Sequence, residues 1–263
     1  MSREAGGRER QGLIDSHCHF DDESFDTDRP RALRRAHQAG VREQVIPAVK
    51  AAWWPRIRQL CLDYPELHAT YGLHPMYLAD HLPEDLASLR DWAAREKPVA
   101  IGECGLDLYI DDPQPRQQQF YFEGQLELAR EFGLPVIIHA RRAVEEVINT
   151  LRRFPGLRGV LHSYSGSEQQ ALRLIDLGFV MSFGGPITYE RAKKLRRLIQ
   201  VLPLDAILLE TDAPDQPDSR HRGERNEPAY LPTILETISQ LRDESIERIA
   251  QQTRENTRQL FHI

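Results

Sequence analysis

Leu134 to Gly166 reads LPVIIHARRAVEEVINTLRRFPGLRGVLHSYSG. A short apolar run, LPVIIHA (134–140), gives way to an amphipathic stretch and then to a second apolar run, GVLHSYSG (159–166). Near-continuous apolar runs are what parallel strands covered on both faces require. The same alternation extends in both directions. LIDSHCHF (13–20), VREQVIPAV (41–49), HATYGLHP (68–75) and VAIGECGLD (99–107) come before it, and FVMSFGG (179–185) and AILLETDAP (206–214) come after it. Helical stretches fill the gaps. Pro30 to Ala39 stops at Gly40, and Phe122, Gln125, Ala129 and Phe132 share one face of a stretch that stops at Gly133. Ser167 and Glu168 open another that stops at Gly178, and Ile246, Ile249, Thr253, Asn256 and Leu260 keep helical spacing near the C-terminus. Strands alternating with helices imply a parallel sheet. The 263 residues are close to the roughly 250 of a closed barrel. The expected fold is therefore α/β, a single-domain (β/α)8 TIM barrel over residues 11–263. The competing open, doubly wound sheet lacks support, because the chain has no GxGxxG or GxxxxGK[ST] phosphate loop.

Composition narrows the function classes. A formal net charge of −6 is unlike that of a bulk nucleic-acid binder, so any such contact has to be local and metal-centred. MSREAGGRER has no apolar segment and reads as a disordered tail over residues 1–10, neither signal peptide nor anchor. No apolar run approaches ~18 residues, so no membrane association is expected. The three cysteines, Cys18, Cys61 and Cys104, show no CxxC spacing, which suggests a reducing compartment and a cytoplasmic protein.

Chemistry-bearing residues gather at the strand ends. His17 and His19 lie two apart on the first run, so both imidazoles project to one face while Cys18 turns away. Glu103 ends the fourth run, His139 the fifth, His162 the sixth and Asp212 the eighth. Residues at the C-terminal strand ends of a barrel converge on its active site. Four imidazoles and two carboxylates exceed the three protein ligands of a usual catalytic zinc site and suit two cations sharing a carboxylate. Paired cations can clamp both the attacking and the leaving oxygen of a displacement.

DSHCHF, GLHP, IGECGLD, IHARRA, LHSYSGS, GGPITY, LETDAP, RNEP and NTRQLF, in this order from about Gly12 to Phe261, resemble the TatD family of metal-dependent deoxyribonucleases, within the amidohydrolase superfamily. GLDLYIDDPQ, GGPITYERA and LLETDAPDQP resemble its YjjV-like branch. The resemblance implies that His17, His19 and Asp212 hold one divalent cation and His139 and His162 a second, with Glu103 bridging. Mg2+, Zn2+ and Mn2+ all remain open as the metal. It further implies that His74 and Arg141 contact substrate. Cys104, Leu108 and Tyr164 depart from the commoner family pattern, and the last two bear on specificity.

Other basic residues divide. Arg220, His221, Arg222 and Arg225 follow Asp212 on the last strand-to-helix loop, where barrels often catch phosphate, so Arg222 and Arg225 are expected to bind substrate. RAKKLRR (191–197) reads as a solvated helix face ahead of a phosphate patch. Glu210, two residues before Asp212, either orients a ligand or simply hydrogen-bonds within the barrel. The expected activity is phosphodiester hydrolysis of DNA, 3'-5' exonuclease in type; the oligomeric state stays open, with a monomer assumed. Asp212 serves as general base and Glu103 as the bridging catalytic carboxylate. The competing readings are an amide or ester hydrolase of the same superfamily and a metal-binding protein without catalysis. Glu103, where many amidohydrolases carry a lysine, favours the TatD-like group.

Overall fold

The computed structural model describes residues 12–263, so the tail expected over residues 1–10 lies outside the described residues. Eight parallel strands run in sequence order: β1 Leu13–Asp15, β2 Val41–Pro47, β3 Leu67–Tyr71, β4 Ala100–Asp107, β5 Val136–Arg141, β6 Gly159–Leu161, β7 Phe179–Phe183 and β8 Ile207–Leu209. The Ser16 N–H donates to Leu209 O and the Asp212 N–H to His17 O, which join the last strand to the first and complete the TIM barrel. Between the strands run α1 Arg29–Gln38, α2 Trp54–Asp63, α3 Asp85–Glu96, α4 Pro115–Phe132, α5 Val144–Leu151, α6 Glu168–Asp176 and α7 Lys193–Val201; α8 Leu231–Arg242 and α9 Ile246–Phe261 follow β8. Gly133 ends α4 at φ +66°, and Ser167 caps α6 with a reciprocal bond to Gln170. No helix among the described residues is long and apolar enough to cross a membrane.

The core has two parts. A large cluster fills the space between the outward strand faces and the helices. A separate one joins Val45, Ala100, Val160 and Leu208, one from each even-numbered strand, the interior layer that barrel closure demands. Leu260 and Phe261 of α9 pack onto that layer, each contributing on the order of 1.5–3 kcal/mol by burial. The Asn256 amide donates to Leu204 O and Ile207 O at the start of β8, so α9 closes the N-terminal end of the barrel. The opposite end carries the polar residues.

Two local expectations need correction. Glu103 does not end its strand, because β4 continues to Asp107. Its register against β5 shifts between Ile101 and Cys104, where three residue steps oppose two. Such a bulge re-aims a side chain. Gly102 and Gly105 make it possible, with φ +136° and +133°; a Cβ on Gly105 would lie 2.1 Å from His139 O. His17 and His19 lie beyond β1, which ends at Asp15. Alternation nevertheless persists: the Cys18 N–H donates to Val45 O and the His19 N–H to Ala213 O.

Candidate metal centre

Glu103 is the pivot, 1% exposed at the heart of the barrel mouth. Its Oε2 lies 3.2 Å from His17 Nε2 and 3.5 Å from His19 Nε2. Asp212 Oδ1 completes that group at 3.5 Å from His17 Nε2 and 3.7 Å from His19 Nε2. Glu103 Oε1 lies 2.8 Å from His162 Nε2 and 3.3 Å from His139 Nδ1, and those two nitrogens are 3.2 Å apart. One carboxylate thus divides its oxygens between two sets of ring nitrogens. The rings of His17 and His162 stack at 3.9 Å, so the two sets adjoin.

The residues fit divalent cations. Glu103 Oε2 is buried and accepts no hydrogen bond, although two imidazole nitrogens and a second carboxylate converge beside it. A buried ionised oxygen in that position calls for a positive charge. Burial alone would raise the Glu103 pKa, but the charges of His162, His74 and His17 and a hydrogen bond with His139 hold it well below the usual carboxylate range. Burial, with the nearby charge of His162, brings His17 down to about 4. Against burial, Glu103, Asp212 and Glu210 push His162 up to about 10. The arrangement therefore favours positive charge beside Glu103 Oε1. A divalent cation bound there would take the place of that proton, since imidazole ligates only when deprotonated.

The supporting groups are less visible in sequence. His139 Nε2 lies 2.9 Å from Asp107 Oδ2, which directs Nδ1 toward Glu103. Asp107 stands four residues after Glu103 in IGECGLD, on the same strand, and that spacing was the available signal. Asp15 accepts the N–H groups of Thr211 (2.9 Å) and His17 (3.3 Å) and the Thr211 hydroxyl at 2.5 Å. It thereby ties the chain carrying His17 to the chain carrying Asp212. Asp212 itself sits at φ +57°, a left-handed conformation that aspartate tolerates better than most residues, and its Oδ2 accepts from Gln216 Nε2. Asn226, in RNEP, donates to Thr211 O and Asp215 O and pins that loop. Glu210 accepts the Ser163 N–H at 2.7 Å and the Ser182 hydroxyl, fixing the turn after His162.

The remaining site candidates separate. The Met76 N–H donates to His74 Nδ1, so His74 Nε2 carries a hydrogen and donates to Glu103 Oε1 at 2.9 Å. His74 lines the cavity but is engaged with the carboxylate. Arg141 and Tyr164 also line this cavity of about 670 Å³, whereas Leu108 does not. Arg222 is exposed and outside it. Arg225 lies elsewhere, donating to Asp28 Oδ1 and Oδ2 at 2.7 and 3.0 Å and to Ser24 O. The expectation that these two arginines bind substrate finds no support in their placement, because Arg225 ties one loop to another. In the basic segment, Lys194 donates to Ser165 O, Arg196 to Ile187 O, and Arg197 pairs with Glu168. Cys18, Cys61 and Cys104 form no disulfide, and Cys18 and Cys104, although next to metal-centre residues in the chain, are buried in the large core cluster.

The family described as TatD related DNase matches residues 14–262. An Escherichia coli K12 protein named uncharacterized metal-dependent hydrolase YjjV is 43% identical over 254 residues, covering 95% of this chain and 98% of the relative. The crystal structure of YjjV, a TatD homologue from Escherichia coli K12, superimposes with a TM-score of 0.92 at 42% identity over 97% of this chain and 99% of that one. A protein of Erwinia tasmaniensis named 3'-5' ssDNA/RNA exonuclease TatD is 36% identical over 251 residues, covering 91% of this chain and 95% of the relative. The chain belongs to the TatD related DNase family.

Proposed function

We propose that this protein is a divalent-metal-dependent hydrolase that cleaves phosphodiester bonds of DNA from a 3' end, with two cations held by His17, His19, Glu103, His139, His162 and Asp212. The observation that carries this reading is the division of the Glu103 oxygens between two sets of ligating atoms. Divalent cations bound there would polarise a phosphoryl oxygen and lower the pKa of an attacking water. The protein's own residues do the rest. Asp212, at the cavity wall, accepts the proton of that water. Gln216 holds its outer oxygen, and His74 and Asp107 fix Glu103 and His139 in register. Arg141 reaches the cavity as a cation for the phosphate chain. The names of the family and of the Erwinia relative support DNA and the 3' direction.

The test is turnover with and without added Mg2+, Mn2+ or Zn2+ on three substrates: a 5'-labelled single-stranded oligonucleotide, a phosphodiester dye, and a panel of amides and esters. A metal-dependent ladder shortening from the 3' end is expected. Metal-dependent cleavage of an amide with no phosphodiester cleavage would replace this reading with a deacylase.

A further inference from the structure

Arg141 and Arg142 leave the end of β5 together, and both side chains are exposed. The guanidinium carbon of Arg141 lies 4.0 Å, and that of Arg142 4.1 Å, from the centre of the Tyr109 ring. Neither has a carboxylate ion pair among the described residues. Asp107 feels the charge of Arg141 but is engaged elsewhere, with Oδ2 on His139 and Oδ1 accepting the Tyr109 N–H at 2.9 Å. The same aspartate therefore positions a metal-centre histidine and holds the backbone of the residue whose ring both cations rest on. Arg142 adopts φ +52°, a conformation that costs a long side chain backbone strain.

The cavity needs cations. Its wall carries Asp21, Asp22 and Asp215 besides the metal-centre carboxylates, and Arg141 is its sole lysine or arginine among the described residues. A polyanionic substrate is thus attracted at the edge that Arg141 holds; Tyr109 and Arg142 lie just beyond the lining, joined to that edge by the ring that Arg141 and Arg142 share. Arg141 stands two residues beyond His139, roughly 6.6 Å along the strand. The backbone thus carries Arg141 outward from the metal-centre histidine, where a phosphate other than the one at the metals would pass. Guanidiniums laid on an aromatic face are preorganised forks matched to phosphate oxygens.

We infer that Arg142 and Tyr109, with Arg141, form a second anion subsite that holds the phosphate next to the scissile one. The inference rests on the phosphodiester reading above. Tyr109 is the platform, and Arg142 supplies the cation that a metal-centre view leaves without a role.

Arg142→Ala, Arg142→Gly and Tyr109→Ala test it. Glycine suits the positive φ, so Arg142→Gly removes the cation and relieves the backbone together. Binding of a cleavage-resistant phosphorothioate single strand is followed by fluorescence anisotropy across a salt series. Both Arg142 variants are expected to bind about tenfold more weakly, with the log–log salt slope shallower by about 0.7 for one lost phosphate contact. Tyr109→Ala should show part of the same loss. In kinetics, the KM for an oligonucleotide should rise about tenfold more than the KM for a one-phosphate ester. An unchanged salt slope, or equal losses on both substrates, overturns the subsite. If the wild type cleaves only amides yet binds DNA with an Arg142-dependent slope, the reaction is misassigned and the subsite stands. If it cleaves DNA with a slope indifferent to Arg142, the reaction stands and the subsite falls.

Discussion

Asp107→Asn is a one-atom change that should reach the metal centre through a tautomer. In the native arrangement Asp107 has two acceptor oxygens, one for the Tyr109 N–H and one for His139 Nε2, both at 2.9 Å. An acceptor facing Nε2 keeps the imidazole hydrogen there and leaves the lone pair on Nδ1, 3.3 Å from Glu103 Oε1 and 3.2 Å from His162 Nε2. Asparagine has one acceptor and one donor. If its oxygen serves the Tyr109 N–H, its NH2 faces His139 and favours a hydrogen on Nδ1, which blocks the ligating lone pair. If it flips, the Tyr109 N–H loses its partner and faces a donor. Such supporting contacts are typically worth 10–100-fold in metal affinity, about 1.4–2.7 kcal/mol. The loss should fall on the cation held by His139 and His162, while the one held by His17, His19 and Asp212 is retained. Metal titration with elemental analysis, together with nitrogen chemical shifts of His139, reads both effects. Full occupancy of both sites, or equal loss from both, would show that Asp107 does not select the tautomer.

Asp212→Asn should fold normally and keep much of its metal, yet lose roughly 10²–10⁴-fold in turnover; near-normal turnover of the metal-loaded variant would end the general-base assignment. Arg225→Ala should act on stability, because it removes the paired bonds to Asp28 and the contact with Phe25. A cost of about 1–3 kcal/mol, or a melting point lower by several degrees, is expected with an unaltered DNA salt slope, and a flatter slope would return Arg225 to the substrate path. Glu43, which does not line the cavity, is held down to about 2 by its hydrogen bond to His68 and by Arg258, against burial. Because its folded pKa is depressed, this stabilisation is full above the ordinary carboxylate value of 4.5 and is lost as pH falls toward 2. Glu43→Gln should therefore cost on the order of 1–2 kcal/mol at pH 7 and almost nothing near pH 2, and a pH-independent difference in denaturant unfolding would contradict it.

The barrel was legible because parallel strands buried on both faces leave apolar runs, and eight such runs punctuated by helices leave few alternatives. The convergence of His17, His19, His139, His162 and Asp212 followed from that topology. Glu103 was recognisable by its place in IGECGLD. Its true position, mid-strand on a bulge between two positive-φ glycines, depends on register, and no local pattern states register. Asp107 and Asp15 were missed or undervalued for a related reason: an acid at a strand end looks the same whether it faces metal, substrate or a neighbouring ring. The last loop misled in the opposite sense. Arg225 lies close to Asp212 in sequence, but its partner Asp28 sits on the loop after β1, a contact that only the closed barrel creates.

The central claim is that Glu103 bridges two cations. Anomalous diffraction from crystals grown with Mn2+ or Zn2+ tests it most directly. Two peaks about 3.5–4 Å apart are expected, one on the side of His17, His19 and Asp212 and the other on the side of His139 and His162, with one oxygen of Glu103 toward each. A single peak at full occupancy under saturating metal, or two peaks that Glu103 does not join, would contradict it.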